Sequence, residues 1–168
     1  MMHGRMVGKV ALLAGAWFLA GAGSAAGAQG NAPAGGGAPQ AKWHTLFDGK
    51  MLDTFRGWRS EGMPQGWNVV GGTLAKEGAV DDLVTKEQFG NFELELDWKI
   101  GKAGNSGVFY RGTREYDHIY WSGPEYQLLD DANAPDGRSR LTAAGAAYGL
   151  YGPPADVVKP FEIGRAHV

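Results

Sequence analysis

The stretch Asn91–Ile100, with the sequence NFELELDWKI, alternates apolar and charged residues with a period of two. Side chains along a β-strand point alternately to its two faces, so this alternation predicts a strand with one buried and one solvated face. Strands of this kind are typical of antiparallel sheets. The buried face is expected to carry Phe92, Leu94, Leu96, Trp98 and Ile100.

Further short strands are predicted on both sides of this one. Trp67–Val70 and Thr73–Leu74 are joined by Gly71-Gly72, which predicts a hairpin because glycine tolerates the positive φ of tight turns. No stretch beyond the first 28 residues keeps a convincing helical period, so the pattern predicts an all-β fold, a β-sandwich of jelly-roll type. The remaining predicted strands are Leu83–Thr85, Gly107–Arg111 and Glu125–Leu129.

The first 28 residues have the composition of a secretory signal. Arg5 and Lys9 give a basic start, Val10–Ala20 is apolar, and Ala26-Gly27-Ala28 offers a small-residue cleavage site. A membrane anchor is the alternative, but the apolar run is shorter than the roughly 20 residues that a spanning helix needs. We therefore expect a signal peptide at 1–28, a periplasmic or secreted protein, and no stable membrane insertion after cleavage.

The rest of the chain divides into a linker, one domain and a short tail. Residues 29–41, rich in Gly, Ala and Pro, are predicted to form a flexible linker, and residues 42–161 one β-sandwich domain. Residues 162–168 back-translate, with one codon choice per residue, to a widely used sequencing-adapter sequence. One hypothesis is that the tail derives from adapter and that the sandwich is incomplete at its C-terminus; the alternative is a genuine terminus.

Two segments carry polar residues at positions where a strand buried in the core would have apolar ones. They are Gly104–Arg111 and Gly123–Asp131. Glu125 and Gln127 share one face of a predicted strand, and Arg111 ends another. Arginine donates hydrogen bonds, glutamate accepts them and glutamine does both, a mixture that suits a sugar. The catalytic candidates are Glu125, Arg111 and His118, and the substrate-binding candidates are Gln127, Asn105, Asp130, Trp121 and Tyr126.

Each catalytic candidate has a structural alternative. Glu125 can be an acid, base or ligand, or can pair with an arginine. Arg111 can stabilise an enolate or hold hydroxyls, or can form a salt bridge with Glu125 or Asp130. Asp130 can orient Arg111 or cap a turn. His118 can be a base or metal ligand, or an exposed loop residue.

The binding candidates have alternatives as well. Asn105 more often serves turn geometry than catalysis. Trp121 can stack on the apolar face of a pyranose or pack its own loop. Further along, Tyr148–Tyr151 can wall a site or cover a sheet edge. The sequence contains no cysteine, which excludes disulfides and thiolate chemistry. No cofactor is evident, and no His-x-His or similar cluster supports a metal site.

The order of several motifs resembles one bacterial family. Asn-Ser-Gly-x-Phe-x-Arg at 105–111 and Gly-Pro-Glu-Tyr-Gln-x-Leu-Asp-Asp at 123–131 are similar to the 3-keto-disaccharide hydrolase family, also described as 3-keto-glucoside 1,2-lyase and 3-keto-2-hydroxy-glucal hydratase. The resemblance runs from about Trp43 to Asp131. It implies a concanavalin-like sandwich, a 3-keto-glucoside substrate and possible use of a divalent metal.

Three functions remain open at this point. The leading hypothesis is an exported enzyme that cleaves 3-keto-glucosides by hydrolysis, or by C1–C2 elimination and hydration. The alternatives are a noncatalytic carbohydrate-binding module of the same fold and a structural or adhesion domain. The expected partner is a glycoside or 3-keto-sugar. A formal net charge of −2 with no basic stripe argues against nucleic acid.

Overall fold

The computed structural model describes residues 7–12, 43–76, 78–154 and 164–167. Ten strands and two short 3₁₀ turns make up its regular structure, and the all-β prediction is confirmed. The predicted linker lies outside the described residues. The strands are β1 (Val7–Leu12), β2 (Trp43–Thr45), β3 (Phe55–Gly57), β4 (Trp67–Val70), β5 (Thr73–Lys76), β6 (Leu83–Thr85), β7 (Phe92–Trp98), β8 (Asn105–Phe109), β9 (Glu125–Leu129) and β10 (Gly164–His167).

All strand pairs are antiparallel. One four-stranded sheet has the order β10-β7-β1-β2, and three two-stranded ladders pair β3 with β6, β4 with β5, and β8 with β9. Strand β1 lies within the predicted signal and β10 within the predicted tail. Among the described residues, no helix is long and apolar enough to cross a membrane.

The predicted hairpin forms as expected. Gly71 and Gly72 connect β4 to β5 with φ values of 57° and 75°. Two consecutive positive values match the tight turn that fits the twist of a hairpin. The hairpin also contributes to the core, because Leu74 packs with Phe47 and Phe55 in one buried cluster.

The face of β7 that was predicted to be solvated is only partly exposed. Its carboxylate residues Glu93, Glu95 and Asp97 are half-buried, and on its apolar side only Leu96 is fully buried within the strand. The reason is that β7 is a central strand of its sheet, because β1 and β10 pair with it along both of its edges. Alternation identified the strand correctly, but it could not tell a central strand from an edge strand.

Strand β8 lies two residues earlier than predicted. It covers Asn105–Phe109, and the chain turns away at Arg111, whose φ is 57°. A positive φ is incompatible with a strand, so Arg111 is excluded from the ladder. The pairing of β8 with β9 sets Phe109 opposite Glu125 and Asn105 opposite Leu129.

The apolar interior has two parts. The cluster around Phe47, Phe55 and Leu74 borders a cavity of about 500 Å³ that residues of β3 to β8 line. A second cluster joins Leu129 to Ala134 and Ala144, with Trp98 packed against it. The second cluster lies under β9 and supports the strand that carries the candidate site.

Candidate active site

A cleft of about 660 Å³ lies over β9 and the beginning of β8. The rest of its lining comes from the end of β8 at Phe109, the 3₁₀ turn Ile119–Trp121 with residues 122–124 after it, the 3₁₀ turn Pro135–Arg138, and the loop that contains Tyr148. Four of the sequence-predicted residues meet here. They are Asn105, Trp121, Glu125 and Gln127.

Glu125 is the titratable centre of this cleft. It is half-buried at the first position of β9. Burial, together with the negative charges of Asp136 and Asp82, raises the pKa of Glu125 to about 7. Its carboxyl lies directly over Gly107 on the neighbouring strand, where any β-carbon would overlap it. The glycine in the Asn-Ser-Gly motif therefore makes room for the Glu125 side chain.

Gln127 follows on the same face and is almost fully buried. Its Nε2 donates to the Thr142 carbonyl at 3.3 Å, and its backbone is bonded to Ala146 and Gly145. Its Oε1 is buried without a hydrogen-bond partner among the described residues. A buried amide oxygen without a donor costs free energy, so Gln127 presents an acceptor that a ligand hydroxyl can satisfy.

Asp136 is a site residue that sequence reasoning missed, and Tyr148 was predicted only as part of the Tyr148–Tyr151 segment that can wall a site or cover a sheet edge. One oxygen of Asp136, Oδ2, accepts from Asn105 Nδ2 at 3.3 Å and from the Tyr148 hydroxyl at 3.3 Å. Burial raises the pKa of Tyr148, and Asp136 adds to that effect. Tyr148 and Leu150 line the cleft, so the Tyr148–Tyr151 segment walls the site. Tyr151 forms an isolated bridge with Ala147, which also bridges to Tyr126 of β9.

Aromatic side chains form the outer wall of the cleft. Trp121 is 66% exposed, and its ring centroid lies 5.4 Å from that of Tyr120. His118 stacks on Tyr120 at 4.8 Å, with the planes 8° apart. Tyr120 and Trp121 line the cleft, and His118 stands behind Tyr120. An exposed indole at the edge of a polar cleft is a surface on which a sugar ring can stack.

Besides His118, three predicted residues do not line the cleft: Arg111, Tyr126 and Asp130. Arg111 is exposed and lines the interior cavity, and it forms no salt bridge with Glu125 or Asp130 in the described part of the chain. The left-handed backbone at Arg111 turns it away, so the expected convergence with Glu125 does not occur. Tyr126 projects from the opposite face of β9 towards Gly145, where burial raises its pKa.

Asp130 serves the turn beside the site. It is fully buried, and its Oδ2 accepts from the Ala103 amide at 2.7 Å and from Asn133 Nδ2 at 2.8 Å. Desolvation alone would raise the pKa of Asp130, but these hydrogen bonds outweigh it and lower the pKa below its ordinary value. The turn-capping alternative describes this geometry, and Asp130 does not orient Arg111.

The described residues do not offer a metal site. They contain no group of three or more His, Cys, Asp or Glu side chains placed to hold an ion. Within the cleft, the two carboxylates are Glu125 and Asp136, and Glu125 holds its proton up to about pH 7. Two carboxylates are fewer than the three or more protein ligands that a metal site usually supplies, so the described part of the cleft does not by itself form a metal centre.

Two comparisons with known proteins bear on this site. The sequence profile of the 3-keto-alpha-glucoside-1,2-lyase-like domain matches residues 42–163. A curated protein of Bacteroides thetaiotaomicron, a 3-keto-disaccharide hydrolase, is 34% identical over 139 residues that cover 70% of this chain and 48% of the relative. The chain therefore spans about half the length of that relative. Because the profile covers most of the sequence, the chain belongs to the 3-keto-alpha-glucoside-1,2-lyase-like domain family.

Proposed function

We propose that this domain is a carbohydrate-cleaving enzyme that acts on 3-keto-glucosides, with Glu125 as its acid–base residue. The observation that carries the proposal is a half-buried carboxyl with a pKa of about 7 in a cleft with two amide side chains and an exposed indole. A group that titrates near neutral pH can both take and give a proton there, which is the requirement for general acid–base catalysis.

The chemistry follows from the ketone at C3. A C3 ketone makes the C2 proton acidic, because the electron pair left behind forms an enolate. Glu125 in its ionised form removes that proton. As the ketone re-forms, the electron pair makes a C1–C2 double bond and expels the group at C1, whose oxygen takes up a proton. Water can later add across the double bond, so elimination followed by hydration gives net hydrolysis.

The other residues of the cleft bind and orient the sugar. Gln127 Oε1 accepts a hydrogen bond from a sugar hydroxyl, and the Asn105 amide can donate one. Trp121 stacks on the apolar face of the ring. The proposal assigns no role to Arg111 or His118, since neither lines the cleft. Ordinary glycosidases instead place two carboxylates across the scissile bond, and the ketone removes that need.

The test is turnover of a 3-keto-glucoside by the purified protein. The expected result is release of 3-keto-2-hydroxy-glucal or the free 3-keto sugar, with no product from the same glucoside before oxidation at C3. Glu125→Gln should abolish turnover, whereas Glu115→Gln, at an exposed loop position, should not. Binding of the 3-keto-glucoside without product would favour the noncatalytic carbohydrate-binding module.

Export is a separate part of the proposal. The basic start, the apolar run and the small residues at Ala26-Gly27-Ala28 support a signal that directs the protein to the periplasm or beyond. N-terminal sequencing of the protein from the extracytoplasmic fraction should begin at Gln29. Recovery of the uncleaved chain from the cytoplasm would contradict this assignment.

A further inference from the structure

We propose that Asp136 is the positioning residue of the cleft, with one carboxylate oxygen orienting both Asn105 and Tyr148 for contact with the substrate. This inference rests on the proposed function and adds two residues to it. Asp136 belongs to the 3₁₀ turn Pro135–Arg138, outside the two strands that carry the predicted site.

The geometry joins three separate elements at one atom. Asn105 starts β8, Tyr148 belongs to the loop after β9, and both donate to Asp136 Oδ2 at 3.3 Å. The backbone N–H of Tyr148 also donates to the Glu125 carbonyl at 3.0 Å, which fixes the loop beside the acid–base residue. Asp136 thus connects the far end of the cleft, at Asn105, with the end next to Glu125.

These bonds contribute little to folding. Both lie at exposed positions, where water competes for the same donors and acceptors, and a typical net hydrogen bond is worth only about 0.5–1.5 kcal/mol even in protected settings. The loop itself is held by backbone bonds from Gly145 to Gln127 and from Tyr148 to Glu125. Asp136 is therefore not needed to close the loop, and its two side-chain bonds serve the cleft.

The buried acceptor of Gln127 supports a ligand at this place. Gln127 is 1% exposed, lines the same cleft, and has an Oε1 without a partner among the described residues. The cleft then offers the Asn105 amide, the Gln127 oxygen and the Tyr148 hydroxyl along its length. Because they come from β8, β9 and the loop, these groups can contact more than one hydroxyl of a ring.

The charge of Asp136 adds an electrostatic effect to the positioning. The acidic groups that act on Glu125 are Asp136 from the 3₁₀ turn and Asp82 from the segment before β6, with Tyr148 facing it from the loop. Each negative charge favours the protonated Glu125 carboxyl. Removal of the Asp136 charge should therefore lower the pH at which Glu125 ionises.

Asp136→Ala, Asp136→Asn and Tyr148→Phe test the inference, with Asp53→Asn at an exposed turn as the matched control. Asp136→Ala should lower kcat/KM about tenfold or more with little change in melting temperature. Asp136→Asn should move the acidic limb of the kcat/KM profile to lower pH. Tyr148→Phe should lower kcat/KM by a smaller factor in the Asp136→Ala protein than in the wild type, since the two residues act through one hydrogen bond.

The outcomes separate this inference from the proposed function. Turnover by the wild type with Asp136→Ala unchanged would overturn the positioning role and leave the enzyme assignment intact. A full additive loss in the double variant, or an unshifted pH profile in Asp136→Asn, would overturn it as well. Absence of turnover in the wild type would instead refute the proposed function, and the positioning role with it. Carbon-13 titration of the Glu125 carboxyl in the Asp136→Asn protein provides a readout without substrate.

Discussion

Glu125 combines two properties that rarely occur on one surface carboxyl. It is buried enough for its pKa to rise to about 7, and it still borders a cleft. Two carboxylates, Asp136 and Asp82, reinforce the effect of burial. An ionised Glu125 is therefore disfavoured by the folded protein, and this has a consequence for stability as well as for catalysis.

Glu125→Gln should stabilise the protein at pH 8 but not at pH 4. The folded-state pKa lies above the unfolded value of 4.5, so wild-type stability is lost as pH rises from about 4.5 through 7. The neutral amide avoids that loss. We expect a gain of about 1–2 kcal/mol at pH 8, less than the full shift implies because the carboxyl is half-exposed. Urea denaturation at both pH values measures the change in free energy of unfolding, with Glu115→Gln as control. An equal gain at pH 4 would show that the raised pKa of Glu125 is not its cause.

Gly107→Ala should displace the Glu125 carboxyl, because the new β-carbon would occupy its place. A misplacement of about 1 Å can cost about 100-fold in rate, so we expect a loss of that order in kcat. Gly90→Ala, with open space around its β-carbon, is the control. A kcat for Gly107→Ala equal to that of Gly90→Ala would mean that Gly107 does not set the position of the Glu125 carboxyl.

At the scale of elements, strands with strong local signals were predictable and those defined by partners were not. β4, β6 and β9 have the bounds that alternation and turn residues predict. β5 is two residues longer than predicted. Trp43–Thr45 and Phe55–Gly57 were not predicted, and they are strands because β1 and β6 pair with them. Local sequence carries no information about such partners.

The same distinction applies to the site. Glu125 and Gln127 were predictable, because a strand places them on one face. Asp136 was not, and for the Tyr148–Tyr151 segment the sequence left two alternatives open, because loop hydrogen bonds such as those from Gly145 to Gln127 and from Tyr148 to Glu125 decide these positions. Pro135-Asp136-Gly137 has the composition of an ordinary turn, so only the fold reveals its Asp as part of the cleft.

The turn between β4 and β5 permits a test of backbone conformation alone. Gly71 has a φ of 57° and open space where a β-carbon would be. Gly71→Val should lower the free energy of unfolding by about 1–2 kcal/mol, because a β-branched residue disfavours the left-handed region. Gly71→Asn should be nearly neutral, since asparagine tolerates that region. Urea denaturation of both variants checks this, and equal losses would point to a contact instead of the backbone.

At the scale of the whole molecule, the interior is unevenly filled. Leu74 and Leu129 are both 2% exposed, but Leu74 borders the cavity of about 500 Å³, whereas Leu129 packs with Ala134 and Ala144. A side chain beside a void has fewer atoms to contact on that side. Equal burial therefore does not imply equal contribution to stability.

Leu129→Ala should lower the free energy of unfolding by about 3–5 kcal/mol and Leu74→Ala by about 2–3 kcal/mol, within the range for leucine truncations in cores. The difference arises because Leu129 loses close contacts on all sides. Chemical denaturation of the two variants under one condition measures both values. A larger loss for Leu74→Ala would show that the cavity is filled in solution.

The position of β1 in the sheet has a consequence in time. Val7–Leu12 pairs with Phe92–Trp98, residues that lie 80 to 90 positions later in the chain. At about 5–20 residues per second, a ribosome needs roughly 4–16 s to synthesise that interval. During those seconds β1 has been made and its partner has not. The segment is therefore accessible to factors that bind nascent chains before it can pair with β7, and the proposed export signal would have to act within this interval.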